Sequence, residues 1–153
     1  MFYNRYMTEA TGTQAGPLGP IEVRPWPDEL IERSGYGPET AYVELCWLPL
    51  LGPSATFAYR RLGRLAIDRP GIVLDPGEFF ASLGLGRACA SHSAGTRALD
   101  RLEAFGVARR SGDCLAVRRA LPVLSSRQLA KVPASARAAH RAILTAGSLA
   151  ESA

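Results

Sequence analysis

Apolar residues between positions 54 and 66 recur at the spacing of one helix face. Their stripe predicts an amphipathic helix packed on a core, with Arg60, Arg61 and Arg64 on the opposite face. A second apolar set upstream predicts another helix, which Pro38 would open at its first position. The members of this second set are Val43, Cys46, Trp47 and Leu50.

The stretch from Asp75 to Arg119 alternates between helical and strand-like patterns. Asp75-Pro76-Gly77-Glu78 has the form of a helix start, and Gly84-Leu85-Gly86 ends that short helix. A second helix is predicted over 93–105, because polar residues share one face while Ala98, Leu99, Leu102 and Phe105 share the other. Two strand-like runs around Ser111-Gly112-Asp113 predict a β-hairpin over 107–119.

The two ends of the chain have weaker patterns. Residues 1–24 are rich in Gly, Thr and Pro and show no period, which predicts a mobile, disordered arm. A short helical turn follows from Asp28 to Arg33, and residues 125–146 are helical by composition, with a break at Pro133. We therefore predict an α+β, mostly helical fold with an arm (1–24), one domain (25–124) and a C-terminal helix and tail (125–153).

Length and composition agree with a small globular domain. A chain of 153 residues with 47% hydrophobic content can bury one core, and no apolar run approaches a membrane span. The first 20 residues lack the apolar region of a secretory signal, so we expect a cytoplasmic protein without membrane contact. Cys46, Cys89 and Cys114 are widely spaced, which argues against a disulfide scaffold.

Positive charge concentrates in the second half of the chain. Positions 80–153 hold 11 basic and 4 acidic residues, whereas positions 1–79 hold 7 basic and 10 acidic residues. This asymmetry indicates a surface that faces a polyanion. The alternative is a solvated surface in an arginine-biased proteome, since Lys131 is the only lysine among the 18 basic residues.

The order helix, strand, short helix, Gly turn, helix and hairpin resembles winged helix-turn-helix domains. The resemblance is to the MarR- and GntR-like families, and it covers roughly positions 53–122. It is carried by Thr96-Arg97-Ala98-Leu99-Asp100-Arg101-Leu102-Glu103, then Phe105-Gly106-Val107 and Arg109-Arg110. It implies that helix 93–105 reads the major groove and that the wing, 107–119, contacts the backbone or minor groove.

A second likeness lies upstream. Trp47-Leu48-Pro49-Leu50-Leu51-Gly52-Pro53, continuing into Tyr59, Arg60 and Leu62, is similar to the start of the winged helices in DnaD/DnaB-type primosome proteins. It implies a replication-initiation accessory role of plasmid or phage type.

The winged-helix resemblance implies ten DNA-contacting side chains. Those at the start of helix 93–105 would meet base edges, and Arg97 is the best candidate for a guanine contact. Arg101 and Arg87 would meet phosphates, and the wing arginines would meet the backbone or minor groove. The full set is Arg87, His92, Ser93, Thr96, Arg97, Arg101, Arg109, Arg110, Arg118 and Arg119. We expect double-stranded DNA as the partner, a role in transcription regulation, and a homodimer formed through Tyr42–Leu50 and Ala134–Leu144.

Other functions compete with DNA binding. Winged helices also serve as protein-interaction adaptors, and Asp100 could partly neutralise Arg97 and Arg101. Cys89 and His92 form a C-x-x-H pair that Cys114 could approach, but the four ligands of a zinc site are absent, so buried cysteines are favoured over a metal or redox sensor. No phosphate-binding loop or nucleophile–base pair is found. We expect no enzyme activity, cofactor or metal.

Overall fold

The computed structural model describes residues 17–152. Helices make up most of its regular structure, and four strands form one small sheet, so the α+β, mostly helical class is confirmed. The elements in chain order are β1 (Ile21–Pro25), α1 (Glu29–Ser34), a π-helical turn (Val43–Trp47), α2 (Leu48–Leu51), α3 (Pro53–Asp68), β2 (Val73–Leu74), α4 (Pro76–Ser82), α5 (Ala94–Ala104), β3 (Ala108–Ser111), β4 (Cys114–Val117), α6 (Ser126–Leu129) and α7 (Ala134–Ser152).

The sheet has the strand order β2-β1-β4-β3. Strand β1 runs antiparallel to β2 and parallel to β4, and the parallel register places Val23 beside Leu115. Both of these side chains are fully buried. The N-terminal strand therefore joins the two parts of the sheet that come later in the chain.

The prediction of a disordered arm is wrong for residues 21–24, because Ile21–Pro25 is a central strand. Buried Ile21 and Val23 alternate with the half-exposed Glu22 and Arg24, as expected for a strand with one face on the core. This alternation covers only four residues next to a segment rich in Gly and Pro, which hid its period of two. Residues 17–20 have no regular secondary structure, and the Leu18 N–H donates to the Cys89 carbonyl at 3.0 Å. The rest of the predicted arm, 1–16, lies outside the described residues.

The core lies between the sheet and α3, α4 and α5. Tyr59 and Leu62 of α3, Phe80 of α4, and Leu99 and Leu102 of α5 are all buried in it. Gly95 allows α4 and α5 to approach closely, since a Cβ at this position would lie 2.2 Å from the Phe80 ring. The predicted helix starts are confirmed, because Asp75 caps α4 and Ser93 caps α5.

The C-terminal helix α7 packs on the π-helical turn. The buried Tyr42 hydroxyl lies 2.8 Å from His140 Nδ1 and accepts a 2.8 Å hydrogen bond from the Leu124 N–H. Cys46 contributes a sulfur contact to the Ala136 carbonyl.

Tyr42–Leu50 and Ala134–Leu144 were predicted to form a dimer interface. The buried side chains of these segments instead contact each other, or the remaining core, within one chain. Exposed side chains remain on both segments, Leu45 among them, and a homodimer through these segments stays a prediction. In the part of the chain that the structure describes, no helix has the length and apolar character needed to cross a bilayer.

Candidate nucleic-acid interface

Helix α5 and the hairpin that follows it form the centre of the predicted interface. The Ser93 hydroxyl accepts a 3.4 Å hydrogen bond from the Thr96 N–H, which fixes the first turn of α5. Gly106, with φ of +68°, reverses the chain after the helix. The Arg118 N–H then donates to the Val107 carbonyl at 3.0 Å and closes the base of the hairpin.

Arg97 lies in the first turn of α5 and is exposed. Within residues 17–152, its guanidinium has no hydrogen-bond or ion-pair partner. His92 is exposed just before the helix and has φ of +68°, a left-handed conformation that histidine adopts more readily than most residues. Both side chains are therefore presented to solvent at the start of α5.

Ser93 and Thr96 are occupied by the helix cap. The Ser93 hydroxyl donates to Thr96 Oγ1 at 3.0 Å, and Thr96 Oγ1 donates to the Cys89 carbonyl at 3.4 Å. Thr96 is only 7% exposed. These two hydroxyls hold the start of the helix, and Thr96 does not face solvent as a base-contacting side chain must.

Arg101 connects α5 to the end of α2. Its guanidinium donates to the carbonyls of Leu50 at 2.7 Å and Leu51 at 3.0 Å, which are the terminal carbonyls of that helix. The same guanidinium lies 5.4 Å from the centroid of the Phe105 ring. The role suggested by these contacts is structural, because cations at a helix C-terminus satisfy carbonyls that have no partner within the helix.

Arg110 fastens the hairpin to α5. Its Nη2 contacts both the Asp100 carboxylate and, at 2.7 Å, the Glu103 carboxylate, while Nε donates to Glu103 at 3.0 Å. The backbone N–H of Arg110 also donates to Glu103, at 2.6 Å. Burial opposes the charge of Arg110, but the two carboxylates outweigh this effect and raise its pKa. We call Arg110, Asp100 and Glu103 the hairpin clamp.

Two further arginines join the hairpin to the N-terminal part of the domain. Arg118 lies 3.9 Å from the Trp26 ring centroid, donates to the Gly106 carbonyl at 2.6 Å, and pairs with Asp28 at 3.5 Å. Arg119 forms a two-pronged ion pair with Glu32 of α1. Their guanidinium groups are therefore held by side chains and carbonyls of the same chain.

Arg109 and Arg87 remain accessible. Arg109 is exposed on the edge strand β3, with its guanidinium 4.7 Å from the Trp26 ring. The Arg87 side chain is 69% exposed and pairs with Glu78 at 2.8 Å, an arrangement that water and salt screen strongly. With Arg97 and His92, these are the four of the ten predicted side chains that combine exposure with a weak partner or none.

Sequence reasoning missed both the hairpin clamp and the role of Trp26. Glu103 precedes Arg110 by seven residues, across a chain reversal, so no helical spacing pairs them. A signal did exist for the clamp: an acid on the last turn of a helix faces a hairpin that follows at once. Trp26 is far from β3 and β4 in sequence, and only the pairing of β1 with β4 brings it near them.

An open groove of about 600 Å³ runs beside α5. One wall is the junction of α2 and α3, including Leu51 and Pro53, and the other wall is the face of α5 with Ala98 and Phe105. Arg97 and Asp100 also line it. The groove joins segments about 40 residues apart, so the sequence pattern carried no sign of it.

Over residues 17–152, no group of three or more His, Cys, Asp or Glu side chains is placed to hold a metal ion. Cys46, Cys89 and Cys114 form no disulfide in the part of the chain that the structure describes. Cys46 and Cys114 are buried, and burial raises the pKa of the partly buried Cys89. Comparisons of the chain with protein-family models, curated proteins and solved structures gave no match.

Proposed function

We propose that this chain is a winged helix-turn-helix protein that binds double-stranded DNA and regulates transcription. Helix α5 would enter the major groove, and the β3–β4 hairpin would act as the wing. The proposal is supported by the element order α3, β2, α4, α5, β3, β4, which is the order that carries the resemblance. Strand β1 is an addition to that order.

One observation carries the proposal: Arg97 is exposed in the first turn of α5 and has no partner in the described chain. The first turn of a recognition helix is the part that meets base edges, and arginine is suited to a two-bond contact with guanine. Arg109, on the hairpin, supplies a second accessible cation for a phosphate. The hairpin clamp fixes the angle between these two groups.

The roles of the ten predicted side chains divide accordingly. We propose that Arg97 reads a base, that His92 lies near it, and that Arg109 and Arg87 contact phosphates. The remaining six side chains would support this surface from within the protein: Ser93, Thr96, Arg101, Arg110, Arg118 and Arg119.

The test is selection from a random duplex pool, followed by anisotropy titration of the enriched duplex and a scrambled one. Arg97→Ala should weaken binding to the enriched duplex by about 1–3 kcal/mol and leave the scrambled duplex nearly unaffected. Arg33→Ala is the matched control, since Arg33 is exposed on α1 and has no partner within 17–152. Equal losses on both duplexes would contradict base reading.

The symmetry of the enriched motif tests the oligomeric state and the role. An enriched palindrome would support a homodimer, and an asymmetric motif would favour the replication accessory role.

The groove beside α5 favours a second candidate, a protein-interaction adaptor. Its walls are largely apolar, and a groove of about 600 Å³ can accept several side chains of a peptide. Ala104→Glu places a charge on this wall, because Ala104 is exposed and lines the groove. An adaptor would lose its protein partner through this change while retaining any duplex binding, whereas the DNA-binding proposal predicts weaker duplex binding from the added negative charge.

A further inference from the structure

The strongest concentration of positive charge without carboxylate partners lies outside the interface described above. It consists of Arg127, Lys131, Arg137 and Arg141 on α6, α7 and the turn between them, and we call it the C-terminal basic strip. None of the four has a carboxylate partner within the described residues. From position 114 to position 152 the sequence contains a single acid, Glu151, close to the far end of α7.

Sequence spacing places the four cations in two pairs, and the members of each pair are one helical turn apart. Arg137 and Arg141 are one turn apart on α7, so their side chains are neighbours on the same face. The Arg137 guanidinium donates to the carbonyl of Val132, the residue that follows Lys131. The turns of α6 continue to Lys131, whose N–H bonds the Gln128 carbonyl at 3.0 Å. Arg127 lies one turn before it.

This arrangement opposes helix stability. Like charges four residues apart on a helix repel each other, each pair costing about 0.2–0.5 kcal/mol. Arg137 also lies in the first turn of α7, where the helix dipole disfavours a cation. No carboxylate in the described chain lies within 4 Å of either arginine to offset these effects. A polyanion would, because one phosphodiester backbone presents evenly spaced negative charges to the whole strip.

We propose that the C-terminal basic strip binds the phosphate backbone of double-stranded DNA, as a second contact surface beyond α5 and the wing. The inference rests on the proposed function in that the ligand is the same duplex. It adds contacts that carry no sequence information, and these strengthen binding to any duplex long enough to reach the strip. The contacts should therefore depend on duplex length and on salt.

The first experiment uses the single lysine of the chain. Lys131 is the only lysine, so an amine-reactive reagent modifies this side chain and the N-terminal amine alone, and mass spectrometry reports both. A 40-base-pair duplex, at a concentration where anisotropy shows the protein fully bound, should slow the modification of Lys131 severalfold. An unchanged Lys131 rate in the bound protein would overturn the proposal.

The second experiment compares two double variants of equal charge. Arg127→Gln with Arg141→Gln removes two strip cations that are exposed, and Arg33→Gln with Arg69→Gln removes two exposed cations elsewhere. None of these four arginines has a carboxylate partner in the part of the chain that the structure describes. On a 40-base-pair duplex, the strip variant should lower the slope of log K against log salt by about 1.8, and affinity near 0.1 M salt should fall roughly tenfold or more. The control variant should change the salt slope and the affinity by less than half as much.

The outcomes separate the two proposals. If Arg97→Ala fails to distinguish enriched from scrambled duplex while the strip variant loses salt slope on both, base reading fails and the strip proposal stands. If Arg97→Ala behaves as expected and the two double variants behave alike, the strip proposal fails. A third outcome would also overturn the strip proposal: the strip variant binds duplex as the wild type does but no longer binds vesicles that contain phosphatidylserine. That result would identify the partner as an anionic membrane.

Discussion

At the scale of single residues, the arginines of the predicted interface differ mainly in what already holds them. Arg110 and Arg118 are held by carboxylates and carbonyls of the same chain, whereas Arg97 has no such partner in the described residues and Arg109 has only the ring of Trp26. An arginine held in this way is poorly placed to displace counterions from DNA. Residue type alone therefore does not show which of these arginines are accessible to a ligand.

The neighbours Arg109 and Arg110 provide a sharp test. We expect Arg110→Ala to lower the free energy of unfolding by about 1 kcal/mol, because it leaves Glu103 and Asp100 without their cation while water still reaches both carboxylates. The salt slope of DNA binding should then be nearly unchanged. Arg109→Ala should do the opposite, with little loss of stability and a slope lower by about 0.9. Urea unfolding measures the stability of each variant, and anisotropy across a salt series measures its salt slope. If Arg110→Ala lowered the slope and left stability unchanged, Arg110 would be a phosphate contact.

At the scale of elements, the sequence predicted α3, α4, α5 and the hairpin well because each is bounded by its own signal. Asp75 and Ser93 are caps whose side chains bond the backbone as expected, and Gly106 ends α5 in the left-handed region. Strand β1 lacks a signal of this kind. Its stability comes from partners at positions 73–74 and 114–117, and local patterns do not encode such distant pairing.

The same reasoning applies to the candidate site. The sequence placed Arg97 on a solvent-facing turn because helix periodicity is a local property. It assigned Arg101, Arg118 and Arg119 to DNA because their partners come from other elements: the end of α2, Asp28 and Glu32. Which cations a fold neutralises depends on the packing of elements, and a single sequence does not show that packing.

The contact between α7 and the π-helical turn predicts a pH dependence. Burial raises the pKa of Tyr42 to about 12, although the hydrogen bond from the Leu124 N–H acts in the other direction. The unfolded phenol ionises near pH 10. The neutral phenol therefore stabilises the fold fully below pH 10, and this stabilisation is lost as pH rises toward 12, by about 1.4 kcal/mol per pH unit. Burial also raises the pKa of Tyr59, which adds to the slope.

Tyr42→Phe isolates this contribution. It removes the acceptor of the Leu124 N–H, so we expect unfolding at pH 7 to cost about 1–3 kcal/mol less than in the wild type. Between pH 10 and 11.5, the free energy of unfolding of the variant should fall less steeply with pH than that of the wild type. The difference in slope should be about 1.4 kcal/mol per pH unit, which is the contribution of one proton. Urea unfolding at a series of pH values measures both effects. Tyr36→Phe is the control, because it keeps the ring that stacks 4.3 Å from Tyr42, and an equal change in slope there would contradict the assignment.

At the scale of the whole molecule, the sheet depends on its N-terminal strand. Strand β1 lies between β2 and β4 and supplies the buried Ile21 and Val23, so neither neighbour has another partner on that side. By contrast, residues 145–152 at the end of α7 are all exposed. The two ends of the described chain should thus differ sharply in their importance for stability.

A chain that begins at Trp26 tests this difference. We expect it to lose cooperative thermal unfolding, because the edges of β2 and β4 and the core beneath them would be uncovered. A chain that ends at Leu144 should unfold at nearly the temperature of the full chain. Circular dichroism melts of the two compare them directly. A cooperative melt for the chain that begins at Trp26 would show that β1 is dispensable.

The central position of β1 also bears on how the protein is made. Glu22 lies opposite Cys114, so the partners that complete the sheet are separated by more than 90 residues of chain. On a ribosome, β1 emerges first and its parallel partner emerges only after α5 and β3 have been synthesised. The helices can form as they appear, but the sheet closes late, and long-range closure of this kind slows folding. In the interval the nascent chain presents an open strand edge, so slower translation should prolong its exposure to chaperones and to aggregation.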